Sequence, residues 1–141
     1  MSRVCWDTML LIYLLEGNSK FRPRADALLA HSRTRRDSLF TTYLAIGEVM
    51  AGAARSGNPI KASAVRQTLD EIGFQCLPFN EGALRPFSQL RGHRKLGIAD
   101  SIHLACAASA GIDLFLTGDR QLLKLDVPGI QFIADFNNPI L

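Results

Sequence analysis

The chain predicts a three-layer α/β/α sandwich built on a mostly parallel central sheet. Three observations predict it. Strand-like and helix-like pieces alternate along the whole sequence, the pattern of a sheet covered by helices on both faces. The length of 141 residues suits a single domain with a closed hydrophobic core. No repeat, low-complexity segment or internal linker interrupts the pattern, so residues 1–141 are expected to form one domain.

The elements follow from hydrophobic period and punctuation. Arg3 to Trp6 reads as a first strand and Thr8 to Leu15 as a helix ending near Gly17. Pro23 suits the first turn of a second helix, which runs to about Ser32. Ser38 to Thr41 is the second strand. It leads into a helix from about Tyr43 to Arg55, stopped by the Ser56-to-Pro59 segment. A further helix is expected from about Ile60 to Ile72, with Gly73 as its C-terminal cap. Phe74 to Leu77 is the third strand. Asn80 is placed to cap a helix through Leu90, in which Pro86 marks either a kink or the true start. Ile98 to Ala110 reads as a small-residue helix closed by Gly111. Asp113 to Leu116 is the fourth strand, Arg120 to Lys124 a short helix, and Ile130 to Ile133 the last strand.

Composition narrows the function classes. The net charge of +3 hides twelve Arg against four Lys, and Arg offers a planar fork that suits phosphates. Cys5, Cys76 and Cys106 are scattered in apolar settings, which argues for core thiols in a reducing compartment rather than a disulfide framework. The apolar run MLLIYLL is short and preceded by Asp7, and no segment approaches the roughly 20 apolar residues of a membrane span. A cytoplasmic protein without membrane contact is therefore expected. Neither phosphate-binding glycine motif, GxxxxGK[ST] or GxGxxG, is present, which sets aside a nucleotide switch.

Four acidic residues stand out: Asp7, Glu48, Asp100 and Asp119. Asp7 and Asp119 follow predicted strands, and Asp100 opens a predicted helix. In parallel sheets, sites form beyond the carboxyl ends of the strands, where the strand order reverses. The fold can thus gather carboxylates more than a hundred positions apart. Asp is also a favoured helix N-cap, and that reading stays open for Asp7, Asp100 and Asp119. It does not serve Glu48, which lies mid-helix between Leu44 and Gly52 on an apolar face. An ionised carboxylate there calls for a cation. An oxygen-only donor set selects a hard ion, Mg²⁺ or Mn²⁺ rather than Zn²⁺, and suits phosphodiester hydrolysis.

Four motifs carry a resemblance: VCWDTMLLIYLLEG, TTYLAIGEVMAG, KLGIADSIHLACA and LFLTGDRQLLKL. In this order, and at this chain length, they resemble PIN-domain ribonucleases, most closely the small VapC-type toxins of prokaryotic toxin–antitoxin pairs. The resemblance covers essentially the full length. It implies a PIN-like fold and a Mg²⁺- or Mn²⁺-dependent endoribonuclease that leaves 5′-phosphate and 3′-hydroxyl ends on RNA. A cognate antitoxin protein and a homodimer are the implied partners. Asp7, Glu48, Asp100 and Asp119 match the family's metal-binding acids, and Thr117 matches a Ser or Thr that orients the site. Thr8 matches a small hydroxyl residue. One departure lies after Asp119, where Arg-Gln-Leu-Leu replaces a further polar or acidic residue followed by Phe. Two alternatives stay open: a non-catalytic RNA-binding or regulatory PIN domain, and a metal-dependent DNA nuclease or phosphoesterase.

Other residues receive plainer readings. His103 shares a helix face with Asp100 and reads chiefly as a hydrogen-bonded packing residue. Arg94, Lys95 and Arg120 are candidates for RNA backbone contact. No aromatic run marks a stacking platform for a single strand. The helical stretch from Pro23 to Arg55 is the expected receiving surface for an antitoxin segment or second protomer.

Overall fold

The computed structural model describes residues 1–17, 19–56 and 62–141. Five strands, β1 (Arg3–Trp6), β2 (Ser38–Thr42), β3 (Phe74–Leu77), β4 (Leu114–Thr117) and β5 (Phe132–Asp135), pair in parallel in the order β3–β2–β1–β4–β5. The helices among the described residues are α1 (Thr8–Glu16), α2 (Arg22–Arg35), α3 (Tyr43–Ser56), α4 (Val65–Ile72), α5 (Glu81–Gly92), α6 (Ile98–Ser109) and α7 (Arg120–Leu123).

Alternation along each strand explains the three layers. Val4 and Trp6 turn to one face, where they pack with Leu10, Leu28, Val49 and Leu69 from α1 to α4. Cys5 turns to the other, with Phe40 and Phe115, against Leu90 of α5 and Leu104 of α6. Both sides of the sheet are therefore buried, which is why its strands read as near-continuous apolar runs. Cys5, Cys76 and Cys106 are free thiols. Burial pushes Cys106 up to about 11 and raises Cys5 well above its ordinary value, so both are protonated core side chains.

Several boundaries move. The second helix runs a turn beyond Ser32, ending at Arg36 in the left-handed region. The expected stop after Ser56 and the helix start at Ile60 fall on residues 57–61, outside the described ones; a 3-10 turn over Ala62–Ala64 leads into α4. Asn80 stands at the N-cap of α5 but makes no side-chain cap bond there, accepting instead from the Ser109 hydroxyl at 3.2 Å. Pro86 lies inside α5 rather than at its start.

The last strand is the instructive miss. Pairing with β4 begins at Leu114↔Phe132 and ends at Thr117↔Asp135, two residues later than expected. Ile130 is buried, but in the turn before the strand, where its N–H donates to Val127 O at 3.0 Å. The expected partner surface also offers less than foreseen. Between Pro23 and Arg55, Tyr43 is the one exposed large hydrophobic side chain among the described residues.

The turn into β5 depends on Gly129. Its φ is +100°, and a Cβ there would lie 2.7 Å from the Ala108 carbonyl oxygen of α6. Replacement by Ala is expected to destabilise the fold by about 1–3 kcal/mol, read as a lower urea midpoint with unchanged slope. An unchanged midpoint would refute this close approach.

Candidate functional site

The strand order reverses between β1 and β4, and the candidate residues gather at that switch point. Trp6 of β1 sits beside Leu116 of β4, and the Asp7 N–H donates to Leu116 O at 3.0 Å. Asp7 is thus the first residue past its strand, next to Thr117, the last residue of β4. The fully buried Thr117 hydroxyl donates to Asp7 Oδ2 at 2.7 Å and accepts from the Asp119 N–H at 3.0 Å. One side chain therefore fixes two of the four acids.

The cap reading holds for both. Asp7 Oδ1 accepts from the Thr8 N–H at 2.8 Å at the start of α1. Asp119 Oδ1 accepts from the Gln121 N–H at 2.9 Å at the start of α7. Asp100 differs. It is the third residue of α6, whose N-cap is Gly97, and its charge suits the positive end of that helix without closing a cap.

Glu48 is held from two sides. The Thr8 hydroxyl donates to its Oε1 at 2.8 Å, and His103 Nε2 lies 2.8 Å from the same oxygen. His103 is buried at 3% exposure, and its Nδ1 lies 2.7 Å from Thr42 Oγ1. Thr42 Oγ1 also accepts from the Ala45 N–H at 3.0 Å, at the first turn of α3. The donor–acceptor inventory assigns the roles. The Thr42 hydroxyl donates to Nδ1, and Nε2–H donates to the Glu48 carboxylate. A bond chain thus runs from the α3 backbone through α6 and back to Glu48. The expected packing role of His103 is accompanied by this polar one.

Asp7, Thr8, Glu48, Asp100, His103 and Asp119 line one cleft of about 520 Å³. Asp135 joins them. The sequence reading missed this fifth carboxylate because it ended the strand at Ile133; the register Thr117↔Asp135 was the missing signal. The crowding shows in Asp100, whose carboxyl is pushed above its ordinary value. Burial is the larger cause, and the charges of Asp119 and Asp7 add to it; Glu48 adds less, and His103 acts in the opposite direction. Of the salt bridges among the described residues, only His103–Glu48 touches the four acids.

The cationic candidates separate. Arg120 lines the cleft. Arg94 turns away, donating to the Asp126 carbonyl at 3.2 Å, and lines a second, smaller pocket with His93. Lys95 is exposed, with a positive φ of 54°. His31 lies on the surface with Nδ1 3.2 Å from the Leu141 carbonyl.

A parallel α/β domain with an acidic cleft at its topological switch point defines the class. The chain belongs to the PIN-domain family, whose model matches residues 4–128. Solved structures of the same fold include a toxin–antitoxin complex from Klebsiella pneumoniae, at 23% identity and a TM-score of 0.69, covering 90% of this chain and 94% of that one. VapBC2 from Rickettsia felis, bound to a DNA fragment from its promoter, has 13% identity and a TM-score of 0.71, covering 94% and 97%. VapBC-5 from Mycobacterium tuberculosis has 21% identity and a TM-score of 0.62, covering 94% and 98%. No curated protein matches the chain in sequence.

The cleft suits a hydrated hard cation. Among the described residues no three His, Cys, Asp or Glu side chains meet as a ready-made cage. Mg²⁺ does not need one, since it retains waters and takes one or two carboxylates together with substrate oxygens. The donor set is oxygen-rich, and the repulsion felt by Asp100 is the kind a cation relieves.

The raised Asp100 has a consequence for stability. Its folded-state pKa exceeds its unfolded value, so the ionised form subtracts from stability at neutral pH. That loss disappears as pH falls through the raised value. Asp100→Asn is therefore expected to raise the Tm of metal-free protein at pH 7 by about 1–3 °C. The increment should shrink toward zero as the pH is lowered into the range where Asp100 is protonated. A variant less stable than wild type at pH 7 would contradict the repulsion.

Proposed function

We propose that this chain is a Mg²⁺- or Mn²⁺-dependent endoribonuclease and the toxin of a type II toxin–antitoxin pair. The observation that carries the reading is the convergence of Asp7, Glu48, Asp100 and Asp119 on one cleft at the carboxyl edge of the sheet. Family membership and the toxin–antitoxin structures of like fold support it. A cognate antitoxin and a second copy of the chain are the protein partners that accompany this reading, in the cytoplasm. Among the described residues no helix is long and apolar enough to cross a membrane.

The residues divide the work. Asp7, Glu48, Asp100 and Asp119 would hold the cation directly or through water. When bound, a divalent ion lowers the pKa of a water and offsets charge on the scissile phosphate. Thr117 keeps Asp7 and Asp119 in fixed relation through its two hydrogen bonds. Thr8 and His103 both bond Oε1 of Glu48, so Oε2 is the oxygen left to meet a cation. Arg120, which lines the cleft, would meet a backbone phosphate.

The test is cleavage of a mixed RNA pool by the purified chain with Mg²⁺, with Mn²⁺ and with chelator. Discrete metal-dependent cuts bearing 5′-phosphates are expected. Loss of groups that merely support metal ligands typically costs 10–100-fold, so Asp7→Asn or Asp100→Asn should lower cleavage by about 100-fold or more. Cutting that survives chelator, or is equal in the variants, would sink the proposal. Preferential cleavage of DNA or of a chromogenic phosphoester would transfer the chemistry to another substrate class. RNA binding without cleavage would favour a regulatory domain.

A further inference from the structure

His103 stands behind the acids with both ring nitrogens engaged. It is 3% exposed and lies on α6, on the same helix as Asp100. Its Nδ1 is 2.7 Å from Thr42 Oγ1 at the end of β2, and its Nε2 is 2.8 Å from Glu48 Oε1. The Thr8 hydroxyl lies farther from Nε2, at 3.5 Å. A neutral ring held on both sides has no lone pair left for a cation and none to take a proton from water. His103 borders the cleft, yet it acts there as neither a cation ligand nor a general base.

The direction of these bonds is set from the far end. Thr42 Oγ1 accepts from the Ala45 N–H at 3.0 Å, and its single hydroxyl hydrogen goes to Nδ1. With Nδ1 an acceptor, the ring hydrogen stands on Nε2 and points at Glu48. The other tautomer would set the Nε2 lone pair against a carboxylate oxygen at 2.8 Å, two acceptors with no hydrogen between them. Thr42 is 1% exposed and does not line the cleft. Glu48 differs: its side chain is 39% exposed, and a long carboxylate in that setting has many rotamers to lose.

We propose that Thr42 and His103 form a positioning pair, in which Thr42 fixes the ring tautomer and His103 holds Glu48 Oε1 so that Oε2 is presented to the cation. The proposal rests on the metal-dependent reading above and goes beyond it, because it assigns part of the cation affinity to a threonine outside the cleft. Neither residue touches the reacting atoms; both act through Glu48. Thr8 donates to the same Oε1 from α1, so the carboxylate is tied to two elements besides its own. Partners that orient a metal-ligating side chain are typically worth about 10–100-fold in affinity. A ring that only filled space could be exchanged for Leu without loss of affinity. A ring that orients Glu48 could not, and its effect would depend on the hydroxyl behind it.

The test uses the full chain with Mn²⁺ alone as the probe, its binding followed by electron paramagnetic resonance, together with ¹⁵N NMR of the His103 ring. In metal-free wild type the ring should carry its hydrogen on Nε2. Thr42→Val and His103→Leu should each raise the Mn²⁺ Kd by about 10- to 100-fold. Thr42→Ser keeps the hydroxyl and His103→Gln keeps an N–H donor, so both should restore binding close to wild type. Because Thr42 acts through the ring, adding Thr42→Val to His103→Leu should weaken binding no further. Melting curves establish that the variants are folded, and the wild-type ring tautomer still decides the matter should either disruptive variant unfold. A hydrogen on Nδ1 with Nε2 bare would overturn the pair. An unchanged Kd in folded Thr42→Val and His103→Leu, with wild type binding Mn²⁺ and cutting RNA, would overturn the pair and leave the nuclease reading intact. Additive losses in the double variant would also overturn it, since Thr42 would then act by another route. Wild type that neither binds Mn²⁺ nor cuts RNA with metal would defeat the nuclease reading and the proposal together.

Discussion

The hydrogen bond from Thr117 to Asp7 spans 110 residues of sequence and 2.7 Å of space, and the site depends on it. It exists because β1 and β4 pair in parallel with Trp6 beside Leu116, so both strands end on the same edge of the sheet. The same hydroxyl accepts from the Asp119 N–H, which couples the first acid to the last. Replacing the pair by any other register would carry Asp7 and Asp119 to different heights. Strand register is therefore the constraint from which the geometry of the cleft follows.

The cost of the arrangement is electrostatic. Asp100 feels Asp119, Asp7 and Glu48 in a partly buried setting, and no Lys or Arg salt bridge to these acids relieves it among the described residues. A fold selected for stability alone has no reason to gather such charges. The chain compensates locally. Asp7 and Asp119 are each bonded to a helix N-terminus, and Glu48 is held by Thr8 and His103. These contacts orient the carboxylates that line the cleft.

Opposite chemistries also meet there. The acids project from the ends of β1, β4 and β5 and from α3 and α6, whereas the contacting rings of Tyr13, Phe21 and Phe136 come from α1, the start of α2 and the segment after β5. Arg24 of α2 holds the backbone that follows β5. The placement of Asp135 and Phe136 in consecutive positions puts a carboxylate and a ring on the same cleft from one strand end.

Local pattern alone determined the number of strands and the alternation of layers, and it singled out the four acids, but it did not set the bounds of the last strand. Alternating burial and helix punctuation are properties of neighbouring residues, and Glu48 was conspicuous because a charge on an apolar helix face conflicts with its own surroundings. Tertiary structure decided what depends on distance between segments. Asp135 entered the cleft only through the register of β5, and the apolar Ile130 that suggested an earlier strand proved to fill the core from a turn. The bond chain from Thr42 through His103 to Glu48 joins three elements whose proximity no spacing encodes. Arg94 and Arg120 were both candidates for RNA contact as sequence, yet the fold directs one to a carbonyl of its own chain and the other to the cleft. Periodicity reports which face of an element is buried, but not which other element meets it there.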